Sequence, residues 1–382
     1  MPKKCILAVL ILFFFCILLS EPYAASRAEL AQISVKKDGS NFQSWNKEAA
    51  SFKELTSYVA RVTDPKSADF IPEEDRIAVF DLDGTLVCET TPSYFEWMLF
   101  LERALNDPSY TPSPEDKEFA LQVKQAIYFD GLPNPIAGTG LESSPERKGL
   151  QPLKAPLKDR SRREAKAQAA VFAGMSREEY EAYVKKFMET PAEGLTNLLR
   201  GESFYVPMVE LVSYLKANNF KLYIVSGTDR DTLRILAGGV LPIASDNIIG
   251  TDIMYVASHE GTKDPLSYVY SKEDTIVRSE FTTKNIKMNK VINIAREIGK
   301  KPVLAFGNSS GDDSMLNYTI FNNKYKALSF ALLCDDTERE LGNPKGAEKM
   351  RGLCAKNGWI PVSMKNDFLT IYGDKVKRAD KK

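Results

Sequence analysis

Three short apolar runs end abruptly on polar or glycine residues: Ile77 to Phe80 before Asp81, Leu222 to Val225 before Ser226, and Val303 to Phe306 before Gly307. Runs of this length, unbroken by polar alternation, predict strands buried on both faces. Elsewhere the apolar positions recur every three or four residues. Trp45, Ala49, Phe52, Leu55, Val59 and Val62 share one face of a predicted helix that ends near Asp64 and Pro65. Met208, Leu211, Val212 and Leu215 do so over Pro207 to Ala217, and Val291, Ile294 and Ile298 over Lys290 to Ile298. Strands alternating with helices predict an α/β fold, a doubly wound parallel sheet with helices on both faces. Ligands of such sheets sit beyond the carboxyl ends of the strands, so the polar residues that close the three runs should converge.

The stretch between the first two strands is too long for a simple crossover, which predicts a helical cap inserted over residues 86–220. Its helical patterns are Ser93 to Leu105, Glu115 to Phe129, Ser161 to Phe172 and Ser176 to Met188, the last opening on a Ser-Arg-Glu-Glu capping box. Between them, 131–159 is rich in Pro and Gly and reads as a long mobile loop. The core then comprises 26–85 and 221–373, with Ser26 to Ser44 extended or frayed and a solvated charged tail over 374–382. Residues 1–25 combine Lys3 and Lys4, an apolar run from Cys5 to Leu19 and a close at Ala24-Ala25, the pattern of a secretory signal peptide. The expected location is therefore periplasmic or secreted, with an uncleaved signal as the one route to a membrane.

Charge and composition narrow the chemistry. Lys plus Arg and Asp plus Glu both number 51, and the balance argues against a nucleic-acid partner. One histidine, His259, excludes zinc sites built on several His, a HExxH protease and a His-nucleophile phosphatase; His259 itself is assigned no role. Removal of the signal leaves Cys88, Cys334 and Cys354, for which a Cys334–Cys354 bridge and three buried thiols both stay open. The basic run Lys154, Lys158, Arg160, Arg162, Arg163 and Lys166 reads as a solvated face, with an anion-attracting lip as the alternative.

The chemistry concentrates at the strand ends: Asp81-Leu82-Asp83-Gly84-Thr85, Ser226-Gly227-Thr228, Lys290, and Gly307-Asn308-Ser309-Ser310-Gly311-Asp312-Asp313. In this order they resemble the four motifs of the haloacid dehalogenase (HAD) superfamily, most closely the phosphoserine-phosphatase-like branch and its exported bacterial members. The resemblance implies a Rossmannoid core, a cap after the first motif, and phosphate transfer through an aspartyl-phosphate on Asp81. Asp83 is implied as general acid and base, Ser226 and the Gly227 amide as phosphate holders, and Lys290 as charge neutraliser, with Lys284 and Lys287 as competitors for that place. Thr85 is expected to hydrogen-bond within the motif loop. The implied cofactor is Mg2+, held by Asp81, the carbonyl of Asp83, Asn308 and Asp312, with Asp313 in reserve. Asn308 stands where Asp is commoner, which removes one negative charge and predicts weaker metal affinity. Thr228 and Glu89 are candidate substrate contacts; Glu89 falls one place before the family's position, which Thr90 occupies, beside Tyr94, Phe95 and Trp97.

These residue types fit the chemistry without the family name. A carboxylate nucleophile splits hydrolysis into two easier transfers, and a hard cation with oxygen ligands offsets its repulsion from phosphate. The expected function is an exported phosphomonoesterase acting on a small phosphorylated metabolite. A phosphotransferase or mutase of the same superfamily, and a catalytically weak exported binding module, are the alternatives.

Overall fold

The computed structural model describes residues 24–133, 135–136, 139–154, 157 and 159–379. The expected signal segment falls almost wholly outside them, as does Lys158 of the basic run. Among the described residues nine strands are formed: β1 Ile77–Phe80, β2 Leu195–Thr196, β3 Lys221–Asp229, β4 Ile248–Ala257, β5 Ile276–Thr283, β6 Leu304–Gly307, β7 Leu328–Leu333, β8 Ile360–Ser363 and β9 Lys377–Arg378. Seven make one sheet in the order β5-β4-β3-β1-β6-β7-β8. Every pair in it is parallel except β4 with β5.

The helices are α1 Arg27–Ala31, α2 Ala50–Thr63, α3 Phe95–Leu101, α4 Pro114–Gln125, α5 Arg160–Val171, α6 Arg177–Met188, α7 Val206–Ala217, α8 Arg230–Ala237, α9 Met288–Asn293, α10 Asp313–Ile320, α11 Pro344–Asn357 and α12 Met364–Asp367. The apolar runs now have a physical cause. Ala78 and Phe80 of β1 enter one core with Leu222, Ile224, Leu304 and Phe306, while Ile77 and Val79 enter a second with Val225, Ile249 and Ala305. A two-residue period with apolar layers on both faces leaves no polar position. The first core is covered by α2, α7 and α8, the second by α10 and α11. Phe80, Phe306 and Phe330 stack across β1, β6 and β7 at centroid spacings of 4.6 and 5.1 Å.

Helices α3 to α6 lie between β1 and β3, and α6 opens on the Ser176–Glu179 capping box. The 131–159 stretch carries short 3-10 turns at Leu141–Ser143 and Pro145–Arg147 and buries Ile136 and Leu141. Among the described residues no helix is long and apolar enough to cross a membrane.

Three expectations are corrected. Ser26 to Ser44 is not frayed: Ser26 caps α1 in a reciprocal box with Glu29, and Leu30, Val35 and Phe42 are buried. Three apolar residues in a polar stretch suffice to dock it. The tail is not wholly solvated, because Lys377–Arg378 pairs antiparallel with Leu195–Thr196 and buries Val376 and Arg378. Trp45 precedes its helix rather than joining it, since the indole N–H donates to Pro207 O (2.7 Å) and the ring packs on Phe368. The three cysteines are free thiols.

A buried ion cluster ties the segment between α5 and α6 to the sheet. Arg278 of β5 donates to Asp229 Oδ2 and Asp231 Oδ2, both at 2.7 Å, and lies 3.7 Å from the centroid of Tyr180 of α6. Its backbone N–H reaches Met175 O, and its carbonyl accepts from Gly174. Replacing Arg278 with Leu strands two buried carboxylates. The expected loss of stability is about 3–5 kcal/mol, read from the denaturant midpoint, whereas a loss below about 1 kcal/mol would show the cluster to be dispensable.

Candidate active site

The β1 run delivers Asp81 to the sheet edge, where its N–H bonds Phe306 O of β6 at 2.9 Å. The chain then reverses tightly, with Gly84 at φ +72° and its N–H on Val87 O. A Cβ at Gly84 would sit 1.9 Å from Asn308 Nδ2 and 2.6 Å from Glu89 Cδ, so both conformation and crowding demand glycine there.

Lys290, buried on α9, bridges two carboxylates at 2.6 Å each, Asp81 Oδ1 and Asp312 Oδ1. Asp312 Oδ2 accepts the amide N–H groups of Asn308 (3.1 Å) and Ser309 (3.0 Å). Burial pushes the Asp81 carboxyl up and the neighbouring Asp312 charge adds to this, while Lys290 works against both. Burial alone would discharge Lys290, but Asp312 and Asp81 hold its pKa above the ordinary lysine value.

Asp83 faces the same space. Its Oδ2 accepts from the Thr228 hydroxyl at 2.7 Å, whereas its Oδ1 is buried and accepts no hydrogen bond among the described residues. Burial raises its pKa, opposed chiefly by the Thr228 bond. Ser226 and Gly227 lie where β3 shifts register against β4. Asn285 fixes that irregularity, its Nδ2 donating to Ser226 O (3.0 Å) and Ile249 O (3.3 Å), while Thr251 Oγ1 donates to Gly227 O (2.5 Å). Neither Asn285 nor Thr251 belongs to a motif read from the sequence.

Asp81, Asp83, Glu89, Ser226, Gly227, Thr228, Lys290 and Asp312 therefore line one chamber, about 640 Å³ including its open mouth. Glu89 turns toward it while Thr90 turns away, its hydroxyl donating to the buried Glu340 at 2.5 Å. Despite its one-place offset, Glu89 thus lines the chamber. Thr228, the other candidate substrate contact, lines the chamber and donates its hydroxyl to Asp83. The Thr85 hydroxyl is buried without a hydrogen bond among the described residues. Lys287 is exposed, and His259 sits at the surface beside Asp274.

Asn308 lines a neighbouring cavity, and its buried Oδ1 accepts no hydrogen bond among the described residues. No group of three His, Cys, Asp or Glu side chains is gathered as a metal site among those residues. The donors that fit a hard divalent cation are all oxygens: the Asp81 carboxylate, the Asp83 carbonyl and the unsatisfied Asn308 amide oxygen. Asp312 has both carboxylate oxygens engaged by Lys290 and the loop amides, so its visible work is to hold Lys290 and the loop. Asp313 is half-buried at the start of α10, with its pKa raised by burial and by Asp312.

Sequence reasoning missed a second cluster in the chamber. Glu96 of α3 and Glu164 of α5 both pair with Lys284, at 3.4 and 2.7 Å, beside Tyr94 and Trp97. A charge inside the apolar stretch Phe95 to Leu101 was the available signal for Glu96, since such a charge is costly without a partner.

Solved structures resemble the chain at low identity. A conserved functionally unknown protein from Anaerococcus prevotii is 12% identical, with 88% of this chain and 96% of that one covered at a TM-score of 0.47. A phosphoserine phosphohydrolase-like protein from Francisella tularensis is 16% identical, with 72% and 92% covered at a TM-score of 0.35. Cytosolic 5'-nucleotidase IIIB bound to cytidine is 10% identical, with 85% and 88% covered at a TM-score of 0.42. No curated protein matches the chain. The profile of the haloacid dehalogenase-like hydrolases matches residues 78–317, from the strand that carries Asp81 to the helix that follows Asp312. The match spans well over half of the sequence and all four groups of residues at the strand ends, and the chain belongs to that family.

Proposed function

We propose that the protein is an exported, Mg-dependent phosphomonoesterase of the phosphoserine-phosphatase-like branch, acting on a small phosphorylated metabolite. The observation that carries the reading is the pairing of two buried carboxylates in unlike settings. Asp81 is matched by an ammonium, while Asp83 is held through one oxygen with the other left unbonded. Two carboxyl groups whose surroundings differ in this way suit a nucleophile and a proton carrier. The apolar run at Cys5 to Leu19 supports export.

Asp81 attacks phosphorus in line and forms an acyl phosphate as the bond from phosphorus to the leaving oxygen breaks. Asp83, its pKa raised by burial, gives its proton to that oxygen, and the alcohol departs. Asp83, now a carboxylate, takes a proton from water as the water attacks phosphorus, releasing phosphate and restoring Asp81. Thr228 fixes which oxygen of Asp83 moves the proton. Ser226 and the Gly227 amide face the phosphoryl oxygens, and Lys290 offsets charge that builds on them. A bound Mg2+ on Asp81, the Asp83 carbonyl and Asn308 would neutralise the phosphoryl group.

The mature protein with Mg is expected to release phosphate from a panel of small monoesters. Asp81→Asn should lower release on the order of 10^3-fold or more; unchanged release would sink the proposal. Thr228→Val should lower kcat by roughly 10- to 100-fold with little change in KM, because the hydroxyl orients Asp83 rather than binding substrate. A pure KM effect would return Thr228 to the substrate contacts.

A further inference from the structure

The segment that opens the insert turns one side chain into the chamber and its two neighbours away from it. Glu89 lines both the chamber and the cavity beside Asn308. Cys88 and Thr90, on either side of it, meet a different group, Glu340 from the loop between β7 and α11. In extended backbone, side chains two apart share a side and the one between them points the other way. A slip of one place would therefore exchange the residue that faces the chamber.

Glu340 is fully buried, and among the described residues it is met by hydrogen-bond donors rather than by a Lys, Arg or His. Its Oε1 accepts from the Thr90 hydroxyl at 2.5 Å and from the Leu341 N–H at 2.6 Å. Its Oε2 accepts from the Tyr372 hydroxyl and lies 3.7 Å from Cys88 Sγ. A carboxyl group buried without a cation is costly, and these donors are what hold it. Packing alone does not call for it, since an apolar side chain of similar volume fills such a space without that cost. The backbone of the segment has its own anchors. The Cys88 N–H donates to Ser203 O at 2.9 Å, and Thr91 O accepts from Arg200 Nη1 at 2.5 Å. Those contacts fix where the segment runs, and the Thr90 hydroxyl fixes which way its side chains turn.

We infer that Glu340 is a positioning residue for substrate recognition: by holding Thr90 on the far side of the segment it keeps Glu89 in the chamber, where Glu89 meets the substrate. This rests on the phosphomonoesterase reading and adds to it. The position that Thr90 occupies serves here as an anchor, and the carboxylate one place earlier does the facing. Tyr372, on the other oxygen of Glu340, brings the C-terminal segment into the same task.

The test is a double-mutant cycle on kcat/KM for the best ester of a small-monoester panel. Thr90→Val keeps the shape and removes the hydroxyl; it should lower kcat/KM by about 10-fold, mainly through KM, and Thr90→Ser should restore it. Glu89→Ala should lower kcat/KM by a similar factor. Adding Thr90→Val to Glu89→Ala should then cost less than about twofold more, because a residue that acts through Glu89 has nothing left to position. Glu340→Met removes the acceptor from the other side of the same contact and should reproduce Thr90→Val, so it carries the cycle where Thr90→Val does not fold. The Glu89→Ala arm alters no anchor residue. Unchanged kinetics in folded Thr90→Val or Glu340→Met, an equal loss in Thr90→Ser, no effect of Glu89→Ala, or an undiminished loss on top of Glu89→Ala overturns the inference and leaves the phosphatase reading standing. Release of phosphate from no member of the panel, p-nitrophenyl phosphate included, overturns both.

Discussion

Everything at the Asp81 end of the chamber depends on the Lys290 bridge between two buried carboxylates. A carboxylate taken out of water is driven toward its protonated form; at Asp81 burial and the Asp312 charge push the carboxyl up, and Lys290 works against both. The geometry that Lys290 imposes runs through three elements. Its helix α9 must stand against the end of β1, the loop after β6 must bring Asp312 to the same ammonium, and the loop amides must satisfy Asp312 from behind. The glycine at 307 follows from this, since a Cβ there would come within 2.6 Å of Asp312 Cβ. The salt bridge is thus as much a constraint on the backbone as a source of charge balance.

Much of the catalytic end was readable in the sequence because Asp81 and Ser226 follow directly on apolar runs and the Gly307 loop follows a third, whereas Lys290 and Asp312 were placed by the motif resemblance. Phe80, Val225 and Phe306 are buried for packing reasons, and the polar residue one step on has no choice but the sheet edge. Pattern alone therefore located Asp81 and Ser226, one step beyond their runs, and the Gly307-Asn308 turn beyond the third. The roles of neighbours were harder. Thr228 and Glu89 were both assigned to substrate on position, yet a side chain's direction out of a turn is set by partners far away in the chain. Thr228 reaches Asp83, 145 residues away. Thr90 reaches Glu340, 250 residues away, which leaves Glu89 to face the chamber. No local pattern encodes either contact.

The docked ends of the chain were hidden for a related reason. Ser26 to Ser44 and the 374–382 tail are polar on average, and an average conceals the few residues that bury, such as Leu30, Val35, Phe42 and Val376. In the same way α5 reads as a charged helix, but Glu164 and Gln168 point inward with Ala165 and Ala169 beside them. Helical spacing tells which residues share a face. Whether a polar face meets solvent or a binding chamber is decided by the tertiary structure.

The α3 and α5 side of the chamber is also mechanically joined to the side that holds Asp81 and Asp83. Glu96 accepts the N–H of Asp229, Asp229 holds Arg278, and Arg278 stacks on Tyr180 of α6 while pairing through its backbone with the turn between α5 and α6. Asp229 itself ends β3, three residues beyond Ser226 and one beyond Thr228. Glu96 on the α3 side is therefore positioned by the same strand end that carries Ser226 and the Thr228 hydroxyl bonded to Asp83. A close-packed buried network transmits displacement rather than absorbing it. A shift of Lys284 consequently bears on Glu96 and, through Asp229, on the strand end whose Thr228 holds Asp83, so that the two sides of the chamber share one structural element.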